Sequence, residues 1–239
     1  MTVCTTVASL IPQAYVYNAT GETSPAPKIV SPVPIEGAPA WMSSDLFQIN
    51  AKAEGTPIRE MLWGPMLQAL LEDRFKLKIR REVRDVPAYA LGVAKGGPKI
   101  QPLKGSCAPG VFPPQPIAPG QINCGPQGTT RKGPNMGWGF IGSADEFSKI
   151  LNSMLDRPVI DKTGLAGVFN FHLEFAPDET APGFIMRLRT VPEDGGPSDP
   201  TGGTSIFTAM QEQLGLRLEP AKGSKEFLVV EHVERPSEN

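Results

Sequence analysis

Residues 143–175 read SADEFSKILNSMLDRPVIDKTGLAGVFNFHLEF, and two periodicities in that stretch decide the fold class. Ser143 followed by Glu146 has the form of a capping box, in which each side chain satisfies the other residue's backbone N–H at a helix start. Phe147, Ile150, Leu151 and Met154 recur at i, i+3, i+4 and i+7, the stripe of a helix packed on one side. A short run, Pro158–Ile160, leads to Asp161-Lys162-Thr163-Gly164, read as a tight turn in which Gly164 supplies a positive φ. Beyond it the period changes to two. Phe169, Phe171, Leu173 and Phe175 point one way, and Asn170, His172 and Glu174 the other. A helix that must bury a stripe, beside a strand that must bury a face, predicts helix packed on sheet.

The same order of signals recurs on either side. Met66, Leu67, Leu70 and Leu71 share a helix face that starts at Gly64-Pro65 and ends near Arg74-Phe75. Two strands are expected after it, Lys76–Arg80 and Ala88–Ala94, the second with Tyr89, Leu91 and Val93 inward and a small-residue face opposite. Phe207, Met210 and Leu214 form a third helix face, with Gly215 placed to end the helix and strands Leu216–Glu219 and Phe227–Val233 following. The chain thus reads as three helix–strand–strand units, at 66–94, 143–175 and 204–233, in a two-layer α+β fold with mainly antiparallel sheet. The amino-terminal part fits less well. Val7–Tyr17 reads as a short helix broken at Pro12, and Leu46–Ala53 as a strand with Phe47, Ile49 and Ala51 inward. Prolines 25, 27, 32, 34 and 39 make an extended loop between them.

Glycine (25) and proline (26) together make up roughly a fifth of the 239 residues, against a typical ~12%. The excess is concentrated in 103–142, where 9 Gly and 7 Pro fall, and it predicts a linker or long loop there. The expected division is an amino-terminal half, 1–102, that Pro/Gly-rich stretch, and a carboxy-terminal half, 143–239, together one composite domain. A second break, from Asp178 to Gly203, reads as a surface loop. A net charge of −2 argues against a nucleic-acid binder held by phosphate contacts. No apolar run approaches the ~18 residues of a membrane helix. Oligomeric state is not legible.

Motifs with chemistry are few. Cys107 and Cys124 bracket part of the Pro/Gly-rich stretch. A disulfide there would contribute roughly 3 kcal/mol in an oxidising compartment, the alternative being two unpaired thiols, and Cys4 has no evident partner. No CxxC pair occurs and the two histidines, His172 and His232, are far apart, so no zinc site and no cofactor is expected. Gly137-Trp138-Gly139-Phe140-Ile141-Gly142 has the GxGxxG spacing. It follows the loop-like Lys132-Gly133-Pro134-Asn135 rather than a strand, and reads as a flexible lead-in to the capped helix. GxSxG and HExxH are absent, and no serine has a lysine three residues on, which leaves Lys162-Thr163-Gly164 without the nucleophile that its counterpart in penicillin-recognising enzymes serves. A spatial triad needs no adjacency, and either histidine is a candidate base. Lys76, Lys78 and Arg80 form a basic stripe on one strand face, a candidate for an anionic partner, with Arg81 and Arg84 extending it and Glu82 and Asp85 diluting it.

Several phrases together carry a resemblance: Gly37-Ala38-Pro39-Ala40-Trp41 leading to Phe47-Gln48-Ile49-Asn50-Ala51-Lys52-Ala53; Met66 through Leu77; Tyr89-Ala90-Leu91 with Ala94-Lys95-Gly96-Gly97-Pro98-Lys99; Arg157 through Leu165; and Glu231-His232-Val233-Glu234-Arg235-Pro236-Ser237-Glu238-Asn239. Their order and wording resemble the soil-associated protein family, a domain of unknown function expanded in soil bacteria such as acidobacteria. The resemblance implies export through an amino-terminal signal and kinship with the outer end of membrane zinc peptidases of the β-lactam-sensor type. It implies no functional residue. The chain departs from the pattern in lacking the signal and the first strands expected before Val7–Tyr17, and in an apparent insertion at Trp63-Gly64-Pro65. Read by itself, without a basic opening or a long enough apolar core, the start is that of a cytoplasmic protein; the family context points to the periplasm or the exterior. The function expected from all this is an extracytoplasmic binding or protein-interaction module without catalytic activity, its partner a protein or a cell-envelope component met at an exposed sheet edge. The alternatives are a hydrolase with dispersed residues and a ligand-sensing domain.

Overall fold

A computed structural model of the protein describes residues 2–23, 33–108, 116–192 and 203–236. The chain begins with β1 (Thr2–Thr5), α1 (Val7–Pro12) and a π-helical turn, Gln13–Tyr17, then β2 (Ile35–Glu36), α2 (Trp41–Ser44), β3 (Phe47–Asn50), α3 (Arg59–Trp63) and α4 (Pro65–Phe75). Next come the long β4 (Lys78–Val93), the short β5 (Ser106–Cys107) and β6 (Gln121–Ile122), then β7 (Gly125–Lys132) and β8 (Asn135–Gly142). The rest is α5 (Ala144–Met154), β9 (Val159–Asp161), β10 (Phe169–Phe175), α6 (Pro182–Leu188), α7 (Ile206–Ala209) with a π-helical turn, Met210–Leu214, and the long β11 (Leu216–His232). The chain is α+β with mainly antiparallel strand pairs.

Two compact units emerge, a terminal one of Met1–Arg84 with Ser224–Asn239 and a central one of Asp85–Gly223. These boundaries differ from the division expected at 102 and 142. The strand pair β4–β11, distant in sequence, carries the chain out of one unit and back, so the carboxy-terminal residues belong with the amino-terminal ones.

The central unit is built on the stretch quoted first. Ser143 caps α5 as expected: its N–H donates to Glu146 Oε2 at 2.8 Å, and the Glu146 N–H donates to Ser143 Oγ at 3.2 Å. Phe147, Ile150 and Leu151 are buried, and β10 alternates buried and exposed over its whole length. Phe147 lies flat on Phe171, ring centroids 4.0 Å apart and 4° from parallel, so helix stripe and strand face meet. Burial of one such side chain contributes about 1.5–3 kcal/mol. Trp138 and Phe140 of β8, Phe175 of β10 and Phe184 of α6 complete an aromatic core. The sheet order is β10-β8-β7, antiparallel throughout. In the same unit β9 pairs parallel to β4, Tyr89 opposite Val159.

The core of the terminal unit is mainly aliphatic: Val7, Leu10 and Ile11 of α1, Met42, Ile49, Leu67 and Leu71, with Leu228 and Val230 of β11, and Phe75 is the aromatic ring buried among them. Here β2 runs parallel to β11, Leu228 opposite Ile35, and β11 lies against β4. β1 and β3 make a separate antiparallel pair, Val3 opposite Ile49.

Several expectations need correction. The first and third units have one long strand after the helix, not two. The charged spans 81–87 and 220–226, expected to separate two strands, continue the ladder, and cross-strand pairs such as Arg81–Glu226 at 2.7 Å tie it together. Residues 125–142 of the supposed linker are two strands, and β8 is central in its sheet. The GxGxxG residues are part of β8, not a flexible lead-in; a side chain at Gly137 would collide with Thr130, and one at Gly142 would come within 2.7 Å of the Phe140 ring. The span 178–203 contains α6, whose Phe184 is fully buried. Pro12 does not break its helix, which widens into the π turn immediately after it. A strand, β1, precedes Val7–Tyr17. Gly64 is no slack insertion: any side chain there would strike the Asn18 carbonyl, so the close approach of the α3–α4 junction requires glycine. Pro25, Pro27, Pro32, Pro113 and Pro114 lie outside the described residues.

Candidate functional site

The sequence-predicted residues do not converge. Lys76 is not on a strand face with Lys78 and Arg80. It ends α4 in the left-handed conformation, φ 50°, the single described non-glycine residue with positive φ. Arg80 is occupied by Glu82 at 2.7 Å and Glu231 at 3.0 Å. Arg84 is held by Glu82 and Glu36 and lies 4.7 Å over the Phe227 ring. Hydrogen bonds from Arg84 and then Arg80 hold the Glu82 carboxyl down at about 2, and the bonds that they donate to Glu82 raise both guanidinium groups. The arginines of the would-be stripe are therefore held in an ion-pair ladder. His172 is exposed 3.8 Å from Glu174, and His232 is 2.8 Å from Glu234, each beside a carboxylate two residues away. Asp161 Oδ1 accepts from the N–H and hydroxyl of Thr163, and Gly164 has φ 66°, so Asp161–Gly164 is a turn. Cys107 and Cys124 are joined by a disulfide with Cα atoms 5.4 Å apart, and Cys4 is free and exposed. Among the described residues no three His, Cys, Asp or Glu side chains cluster as metal ligands.

What stands out instead is a groove of about 810 Å³ in the terminal unit. One wall is Phe47, Gln48, Ile49, Asn50, Ala51 and Lys52, six consecutive residues. A strand face would contribute every second residue, so consecutive lining means the groove runs along the backbone edge of β3. That edge is open: among the described residues β3 pairs with β1 alone. The opposite wall is the end of α4, from Leu70 to Lys76, with Glu234, Arg235 and Pro236. The two parts of that wall are tied together, the Glu234 N–H donating to the Phe75 carbonyl at 2.7 Å.

Local sequence explains the shape. The left-handed turn at Lys76 stops α4 and aims its last side chains at the groove. Phe47 meets Phe75 edge to face at 5.2 Å, which makes an apolar floor. Trp41 stacks behind Phe75 and also takes Arg235 over its ring at 5.4 Å. Charges rim the floor. Asp73 pairs with Arg74 at 3.3 Å and Lys76 at 3.9 Å, and Arg235 pairs with Asp45 at 2.9 Å. A second hollow, about 580 Å³, shares Asn50, Ala51 and Lys52 with the groove and continues to Ala53, Gly55, Thr56, Pro57 and Leu62. Sequence reasoning found the strand in Leu46–Ala53 but not the site. The only signal was a short, uncharged alternation, Phe47-Gln48-Ile49-Asn50, and whether such a strand has one neighbour or two depends on topology.

No curated protein matches the chain, and no solved structure does. A family model described as "Protein of unknown function (DUF3738)" matches residues 29–233. That span includes β3, all of the central unit and most of the groove lining, and on it the chain belongs to the DUF3738 family.

Proposed function

We propose that the protein is an extracytoplasmic binding module, without catalytic activity of its own, which takes an extended polypeptide segment as an added strand on β3. The observation that carries this is the run of six consecutive residues lining one groove wall beside an open strand edge. Main-chain pairing contributes about 0.5–1.5 kcal/mol per hydrogen bond, and the Phe47–Phe75 floor adds apolar burial at ~25 cal/mol per Å². Strand addition of this kind draws affinity from the backbone and selectivity from alternate side chains. The lining supports binding over hydrolysis, since it presents amides, apolar groups and charges rather than a nucleophile–base pair. Export is supported by the Cys107–Cys124 disulfide, a bond that persists in oxidising compartments.

The test is amide hydrogen exchange on the full chain with extended peptides that alternate apolar and polar residues. Binding slows exchange at 47–50, and N-methylation along the peptide abolishes binding at every second position. A panel that leaves these amides unprotected, or N-methyl effects without a period of two, overturns the reading.

A further inference from the structure

We infer that the added strand is acidic, an internal segment of another polypeptide with a carboxylate side chain on Lys52. This rests on the strand-addition reading and names the chemistry of its ligand. Four cations line the groove, Lys52, Arg74, Lys76 and Arg235, against two carboxylates, Asp73 and Glu234. Both carboxylates are in use, Asp73 by Arg74 and Lys76, and Glu234 by His232 at 2.8 Å. Arg235 is in use as well, between Asp45 and the Trp41 ring. Arg74 and Lys76 share the one carboxylate of Asp73, so the lining keeps an excess of positive charge, and Lys52 is its one cation with no ion pair among the described residues.

Its position gives that charge a role. Lys52 is two residues past the end of β3 and lines both the groove and the second hollow. A strand in register with Phe47–Asn50 needs to extend only slightly to bring a side chain over it. The hollow beyond is lined by Ala51, Ala53, Pro57 and Leu62, and the neighbouring Ile58 is 51% exposed. An apolar side chain of the same segment fits that lining. Because Asn50, Ala51 and Lys52 line both hollows, a segment lying over the cation has further lining to meet, which favours a carboxylate within a chain over one at its end. Exposed ion pairs are modest, so Lys52 supplies selection among strands rather than most of the affinity.

The probes are capped ten-residue peptides alternating valine and threonine, with glutamate, glutamine or lysine replacing each threonine in turn. They are titrated by fluorescence anisotropy against the full chain and against Lys52→Gln and Lys52→Arg. At one position glutamate binds about two- to fivefold tighter than glutamine. The advantage is lost in Lys52→Gln, kept in Lys52→Arg, and fades in ~0.5 M salt. Equal binding of glutamate and glutamine peptides at every position, or a preference that survives Lys52→Gln, overturns this inference. If the 47–50 amides are still protected in that case, strand addition itself stands. If no peptide protects them, both readings fall. An uncapped glutamine peptide that binds as well as the capped glutamate one assigns Lys52 to a chain terminus. A peptide copying residues 45–52 that competes equally assigns the edge to a second copy. Either result overturns the acidic internal strand.

Discussion

On β10, in the central unit, one side chain closes the strand edge: Gln213 accepts the Glu174 N–H at 2.8 Å and donates to the Glu174 carbonyl at 2.7 Å. The Ala176 N–H, just past the strand, donates to Thr204. On the other outer strand of that sheet, β7, Pro126 removes a donor, the register slips between Pro126 and Gly128, and Arg131 and Lys132 add charge. These are familiar ways of keeping a sheet edge from recruiting another strand. β3, in the terminal unit, carries none of them. It has no proline and no charge, and a groove with an aromatic floor runs beside it. The contrast separates an edge that is kept closed from one that no described residue closes. It also separates two styles of cohesion, a ring-packed core with a disulfide in the central unit and a mainly aliphatic core with an ion-pair ladder in the terminal one.

The contrast in cores is broken most severely by Phe171→Asp. Phe171 is fully buried between Phe140 and Phe147, so the new carboxylate would be unpaired in an apolar site. A loss of several kcal/mol is expected, enough to unfold the central unit. Calorimetry on the variant should show that transition lost; an unchanged melting temperature would mean that the β10 face is not core. Replacing Cys107 and Cys124 with serine is next in size. The bond closes a 17-residue separation, and its removal is expected to destabilise the central unit by about 3 kcal/mol. Thermal melts with and without reductant check this, and melts that coincide contradict it.

What could be read beforehand follows the range of the interactions. The Ser143–Glu146 cap, the Phe147 stripe and the Phe169–Phe175 alternation are local patterns, and the structure has all three. The charged span from Arg81 to Pro87 misleads because its pairing partners, Glu226 for Arg81 and Glu36 for Arg84, lie far along the chain. Gly137, Gly139 and Gly142 look like loop residues, yet β8 needs them small because neighbouring side chains crowd its surface. The groove was legible least. Nothing in Phe47-Gln48-Ile49-Asn50 says which edge stays open; that is decided by β1 pairing on one side and α4 ending where it does on the other.

The contrast between edges is sharpened by Gln213→Ala, which leaves the fold's main contacts in place while freeing the Glu174 backbone groups. A destabilisation of about 1 kcal/mol is expected, with faster exchange of the Glu174 amide and concentration-dependent self-association in sedimentation. If exchange and association both stay at wild-type values, Gln213 is not what closes β10, and the contrast with β3 rests on the other devices alone.

The smallest effect expected concerns the ion-pair ladder. Glu82, hydrogen-bonded by Arg84 and then Arg80, has its carboxyl lowered from 4.5 to about 2. A depressed carboxyl stabilises the fold fully above its unfolded value. The contribution shrinks as pH falls below about 4.5 and is gone once the folded group itself is protonated near 2. Glu82 is half-buried on a ladder whose arginines are solvated, so the effect is modest and weakens with salt. Other carboxylates titrate in the same window, and the informative quantity is therefore the difference between wild type and Glu82→Gln. Denaturant melts of both at pH values from 2 to 6 should show the gap widest above pH 4.5 and closing toward pH 2, with low salt enlarging it. A gap independent of pH would mean that Glu82 acts through packing alone, and that the terminal unit does not depend on charge as the contrast with the central unit requires.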